Sequence, residues 1–154
     1  MRLWHKDLIK YLPNKQLLGQ WRECCAIAKS IAEKGSLNHA LINKIMNYPL
    51  DHFYIYCGKI CNEMYNRGYK ANWDKIIRCI PNFYGRFISP ISNEELFNNW
   101  HNDRYYLQCF FNLQEKYDCG LITKEEWNRI LTATHIKIAD EYGSNWILNR
   151  EEYL

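Results

Sequence analysis

No part of this sequence spaces its glycines as a phosphate-cradling loop does. Neither the P-loop pattern nor the dinucleotide fingerprint occurs, which excludes nucleotide chemistry built on those loops. The metalloprotease pattern HExxH and the esterase pattern GxSxG are missing as well. Seven cysteines are present, yet no two have the two-residue gap of zinc or thioredoxin-like sites, and the count is odd. Cys57 and Cys61 stand one helical turn apart, which leaves a metal open beside the plainer reading, small thiols in a reducing compartment; the expectation is no metal. No apolar run approaches the length of a membrane span, and no signal-like apolar core follows Met1-Arg2-Leu3-Trp4-His5, so the expected location is cytoplasmic. Internal repeats, low-complexity linkers, hairpin signatures and alternating runs of six or more residues are absent too. That leaves an all-α class in one compact helical bundle over residues 1–154.

What is present is globular in character: 47% hydrophobic and 24% charged residues, with twelve Tyr and six Trp. At 154 residues the chain is long enough to bury a real core. Its net charge of +3 hides a skew. Residues 1–90 hold 14 Lys or Arg against 6 Asp or Glu, a balance of +8, whereas residues 91–154 hold 6 against 11, a balance of −5. The basic part suits a polyanion if the fold gathers it on one face, and is otherwise a set of solvated charges. Nucleic-acid affinity from such a face is electrostatic and salt-dependent.

Local patterns predict the elements. Leu3, Trp4, Leu8, Ile9 and Leu12 suggest a short helix or an arm packing down. Asn14 is placed to cap a helix from about Lys15 to Gly35, presenting Leu17, Trp21, Cys24 and Ala28. Ser36 is a candidate cap for a segment reaching Asn47, and Pro49 suits the first turn of a helix closing at Gly68. A short helix is expected over 70–80, then an aromatic loop from Pro81 to Pro90. Two capping boxes follow. Ser92 with Glu95 predicts one long helix through Trp100 and Tyr117, and Thr123 with Glu126 predicts another through Trp127, His135 and Ile138.

Candidate chemistry is sparse. The five histidines, His5, His39, His52, His101 and His135, are scattered and read first as packing or surface residues. Arg22-Glu23 lies inside an otherwise apolar helix beside Trp21. It is either ordinary surface, or a carboxylate placed to handle protons beside a guanidinium able to grip phosphate. Arg67, Lys70, Lys75, Arg78 and Arg86 alternate with Tyr69, Trp73, Phe83, Tyr84 and Phe87. That suits backbone contacts with base stacking, and equally suits aromatic packing with a solvated fringe.

The segment from Leu12 to Glu23, LPNKQLLGQWRE, resembles the small pyrimidine-dimer DNA glycosylases of the phage endonuclease V type. Asn38-His39, the helix end EMYNRGY over 63–69 and the loop IPNFYGR over 80–86 extend the resemblance to about residue 115. Bacterial proteins beginning Met-Arg-Leu-Trp-His look similar as well. The resemblance implies an all-helical monomer with no obligate protein partner, no cofactor and no metal, acting in DNA repair on damaged double-stranded DNA. It implies glycosylase activity on pyrimidine dimers, coupled to a lyase step that nicks the strand as an endonuclease does. By match to the family pattern, the α-amine of Met1 is the nucleophile, Glu23 the catalytic carboxylate, and Arg22 a DNA-gripping neighbour. An α-amine is suited to this, since its ordinary pKa of about 7.7–8.0 leaves a useful neutral fraction near pH 7. Arg2, Arg22, Arg67, Lys70, Lys75, Arg78 and Arg86 are then the DNA-binding set, with His5, Gln16 and His39 in support. Gln16 stands where the family has a histidine, and Cys24-Cys25-Ala26 where it has a further arginine. The region about 116–154 falls beyond the resemblance and reads as an appended helical flank outside the DNA footprint. Two alternatives remain: a non-catalytic nucleic-acid-binding helical protein, and a helical interaction module using exposed aromatics of residues 100–117.

Overall fold

The computed structural model describes residues 1–81, 85 and 87–142, with side chains as far as residue 134. Among these the chain is helical, with no strand. The described residues form five α-helices: α1 (Asn14–Lys34), α2 (Leu50–Asn66), α3 (Asp74–Ile77), α4 (Asp103–Asp118) and α5 (Lys124–Tyr142). Two 3-10 helices, Lys6–Tyr11 and Ile42–Asn47, precede α1 and α2. Helix α1 packs on α2 and α3, and α4 on α5. The first 3-10 helix lies between α2 and α5.

That placement makes the N-terminal arm, residues 3–12, part of the core. Leu3, Leu8 and Leu12 are wholly buried, with Trp4 and Ile9 nearly so. Each such side chain contributes about 1.5–3 kcal/mol through removal from water. The ammonium of Lys6 is drawn in with them and donates to the carbonyls of Glu94 (3.1 Å) and Leu96 (2.7 Å).

Helix ends follow the sequence in some places and depart from it in others. Gly35 ends α1 in the left-handed conformation (φ 67°), its amide donating to the Ile31 carbonyl at 2.9 Å. Thr123 and Glu126 exchange both bonds of a capping box at the start of α5. Asn14, however, does not cap α1. Pro13 occupies that position, and the Asn14 side-chain oxygen instead accepts from Arg67 (3.0 Å) while its amide donates to Glu126 (3.4 Å). Ser36 opens no helix either. Residues 36–41 are bends and turns, and helical structure resumes only at Ile42. The helix expected over 70–80 shrinks to four residues.

The long helix expected from Ser92 is broken. Its capping box forms both bonds, at 3.0 and 3.2 Å, but a run of turns follows. Phe97 is fully buried with φ +50°, a conformation that costs an L-residue about 1 kcal/mol or more. Its amide donates to His52 Nδ1 and its carbonyl receives the amides of Trp100 and His101. Asn102 then caps α4 by accepting from the Tyr105 amide at 3.0 Å. The aromatic residues of 100–117 are mostly interior: Trp100, Tyr105, Tyr106 and Phe110 are buried, and Tyr117 stacks on Trp127. Phe111 alone of those rings is exposed, which removes the extended apolar stripe that an interaction module would use. His135, Ile136 and Ile138 have side chains outside the described residues.

Arg67 binds four residues and ties the end of α2 to the chain over 10–14. Its Nε donates to Glu63 (2.7 Å), Nη1 to the Leu12 carbonyl (2.6 Å) and to Asn14, and Nη2 to the Lys10 carbonyl (3.0 Å). Replacing it with alanine strands Glu63 and two backbone carbonyls. Urea unfolding of Arg67→Ala is expected to show a loss of about 2–4 kcal/mol, and Arg67→Lys to recover only part, since lysine lacks the planar fork.

His101 carries a second testable consequence. Its Nδ1 accepts from the Lys6 amide at 3.0 Å, and burial, with His5 and Lys6 adding to it, pulls its pKa down from 6.5 to about 2. Unfolded His101 takes up a proton as pH falls through about 6.5 and folded His101 does not. The stability it contributes is therefore present above pH 6.5 and lost progressively toward pH 2. Between pH 6 and 5 this residue alone is expected to lower the unfolding free energy by about 1.4 kcal/mol per pH unit. The difference in pH slope between the wild type and His101→Gln isolates it from His52, whose pKa burial also lowers.

Candidate functional site

The buried face of α1 reads Leu17, Gln20, Trp21, Cys24, Ile27 and Ala28. One polar residue interrupts it, and that residue organises the site. Gln20 is 1% exposed. Its Oε1 accepts the amide of Trp4 at 2.8 Å, which fixes the orientation of the side-chain amide and turns Nε2 toward Glu23, 3.3 Å from Oε2. The Tyr56 hydroxyl from α2 lies 3.1 Å from the same Oε1 and donates to the Trp4 carbonyl at 2.7 Å. Burial pushes the Tyr56 phenol well above its ordinary range, so it remains a donor. From the other side, the Tyr105 hydroxyl of α4 donates to the Leu3 carbonyl at 2.6 Å, and burial raises that phenol too. The backbone of residues 3–4 is thus held by side chains of three helices.

This grip delivers the residues before it to a defined place. The Arg2 amide donates to Glu23 Oε2 at 3.4 Å. The Met1 nitrogen is one residue further, at most about 3.6 Å away along the backbone, and so lies within about 7 Å of that carboxylate. Met1 is 54% exposed, while Glu23 and Arg2 are half-buried. Both contacts to Glu23 are long, so the carboxylate keeps capacity for further partners. The Arg2 guanidinium reaches toward α4, 3.9 Å from the buried Cys109 sulfur and 5.9 Å from the centre of the Trp4 ring. The result is a half-buried carboxylate bonded to the Arg2 amide, with the chain's first residue next to that amide and exposed to solvent.

The other sequence-selected residues divide. Arg22, Lys70, Lys75 and Arg78 are exposed. Arg22 adjoins Glu23 on α1, Lys75 lies on α3, which packs against α1, and a stacked Trp21–Trp73 pair (6.1 Å) ties the two segments. Trp73 is thereby a packing ring, whereas Phe87 is 80% exposed. Arg67 makes four donor contacts, to Glu63, Leu12, Asn14 and Lys10, which tie it into the fold. His5 is likewise a core residue, 1% exposed, capping the first 3-10 helix and stacked on His101 at 5.2 Å. His39 is exposed and its Nδ1 accepts from the Ile42 amide, which makes it a turn residue. Gln16 is half-buried, its Oε1 without a hydrogen-bond partner among the described residues. Arg86, with Phe83 and Tyr84, lies outside the described residues.

Gln20, Tyr56 and Tyr105, which hold the arm, were not among the sequence candidates. Only Gln20 carries a local signal, an amide recurring at the buried helical spacing. Among the described residues no group of His, Cys, Asp or Glu is arranged to hold a metal. Cys57 is fully buried beside Cys24, and burial raises its thiol well above the ordinary range, so it stays protonated. No helix among the described residues is long and apolar enough to cross a membrane.

No curated protein and no solved structure matches the chain. A family model does: pyrimidine dimer DNA glycosylase matches residues 1–77, half of the 154 residues, covering the arm, α1, α2 and α3. The chain belongs to the pyrimidine dimer DNA glycosylase family, which is a family of DNA-repair proteins.

Proposed function

We propose that this protein is a DNA glycosylase with an associated abasic-site lyase activity, acting on pyrimidine dimers in duplex DNA. The α-amine of Met1 is its nucleophile and Glu23 its catalytic carboxylate. The observation that carries the reading is the 3.4 Å contact between the Arg2 amide and Glu23, which joins the start of the arm to the one carboxylate of α1 that faces it. The family match supports the substrate class.

In this reading the neutral amine attacks C1′ of the damaged nucleotide. The C1′–N glycosidic bond breaks and the base takes up a proton; the sugar ring then opens at C1′–O4′, with a proton delivered to O4′, which leaves the amine joined to C1′ as a protonated imine. Loss of a proton from C2′ then expels the 3′ phosphate oxygen by β-elimination, and water returns the free amine. Glu23 stabilises the positive charge at C1′ and transfers the protons. Gln20 positions Glu23 through its amide and is itself held by Trp4. Arg2 and Arg22 flank the carboxylate and attract phosphate, with Lys70, Lys75 and Arg78 extending the basic side.

Borohydride reduction tests the imine directly. Untagged protein incubated with duplex DNA containing an abasic site or a pyrimidine dimer is expected to form a covalent adduct under borohydride. Acetylating the N-terminus should abolish it, and Glu23→Gln should lower the trapping rate by about 100-fold or more. The reading is overturned if no damaged duplex gives an adduct, or if the acetylated protein traps as well as the free one.

A further inference from the structure

The Arg2 side chain is also a wall of an open cavity of about 500 Å³ against α4, where Tyr105, Gln108, Phe111 and Glu115 meet it. A second cavity of about 260 Å³ shares Tyr105 and Gln108 with the first and carries on to Lys44, Asn99 and Arg104. Together they form one cleft along the α4 face defined by residues 104, 108, 111 and 115. Those residues recur at three- and four-residue steps, so the cleft runs about 16 Å along the helix, the axial length of roughly five base pairs. One end opens beside the Arg2 side chain, whose backbone amide contacts Glu23; the other is basic.

The charges on this cleft are unbalanced. Arg2, Lys44 and Arg104 line it against a single carboxylate, Glu115, with Asp103 near the basic end in the first turn of α4. Lys44 and Arg104 are exposed and have no carboxylate partner among the described residues, unlike Arg67, whose guanidinium is held by the fold. Amide groups of Asn99 and Gln108 lie between these cations and supply neutral donors. Such a row of free cations and amides in a concave channel matches a phosphodiester backbone, which offers an acceptor at each step. None of α4 lies in the family-matched segment.

We infer that this α4 cleft carries one strand of the duplex flanking the reacting nucleotide, with Lys44 and Arg104 each holding a backbone phosphate. The inference rests on the proposed function and extends its footprint beyond the family-matched residues 1–77, onto α4.

The test is binding of an untagged double variant, Lys44→Gln with Arg104→Gln, to a duplex containing a tetrahydrofuran abasic analogue. Fluorescence anisotropy is read between 50 and 200 mM salt. Two lost phosphate contacts are expected to reduce the slope of log affinity against log salt by about 1.8. A control pair of exposed cations on α5, Lys124→Gln with Arg129→Gln, removes the same charge and is expected to leave the slope unchanged. An unaltered slope in the Lys44/Arg104 variant overturns the inference, as does an equal change in the α5 control, which would mean diffuse charge only. The borohydride adduct is read separately. A wild-type protein that forms no adduct yet shows the Lys44- and Arg104-dependent slope overturns the catalytic reading and sustains this one.

Discussion

The backbone of Leu3 and Trp4 crosses the core without secondary structure of its own. Its carbonyls and its Trp4 amide therefore need partners from elsewhere, because a buried, unpaired peptide group costs about as much as a lost hydrogen bond. Tyr105 supplies one, Tyr56 another and Gln20 a third, each from a different helix. The arrangement works in both directions. The helices hold the arm, and the arm sets α1, α2 and α4 in register with one another. A shift of any of the three would unpair a buried group, so the short segment acts as the reference against which the bundle is built.

The same bonds prepare the site. Gln20 could not direct its amide at Glu23 if its oxygen were not already taken by the Trp4 amide, so stability and positioning share one side chain. Positive charge divides by a comparable logic. Lys6 and Arg67 turn their donors onto backbone carbonyls and serve the fold. Arg22, Lys70, Lys75 and Arg78 remain at the surface, where they are available to a polyanion. A count of basic residues cannot separate these two groups, and only the second adds to an electrostatic face.

Much of the helical pattern was legible because it rests on local chemistry. The left-handed Gly35 and the reciprocal bonds of Thr123 and Glu126 are where the spacing puts them. Ser92 and Glu95 show the limit of such reasoning: their box forms, yet no helix continues from it, because Phe97 is pulled into a left-handed turn by the core and by His52. Nothing in a phenylalanine announces that conformation. The partners of Arg67 were hidden for a related reason, since all but Glu63 come from residues 10–14, more than fifty positions away. Arg22-Glu23 was visible as a pair inside an apolar helix, but the contact that gives it interest, with the Arg2 amide, is a tertiary one. Tyr56 and Tyr105 had no distinguishing mark among twelve tyrosines.

The seating of the first 3-10 helix between α2 and α5 has a consequence for the order in which the molecule comes together. During synthesis the arm emerges before every helix that covers it, and α5 is made after α1 to α4. The arm's leucines must stay uncommitted, or be sheltered, while most of the chain is added. Contacts between such distant parts are slow to form, because a long loop has to close before they are made. The arm's set of partners is thus complete only once α4 and α5 have been made, and a partly made chain carries the Leu3 carbonyl without its Tyr105 donor.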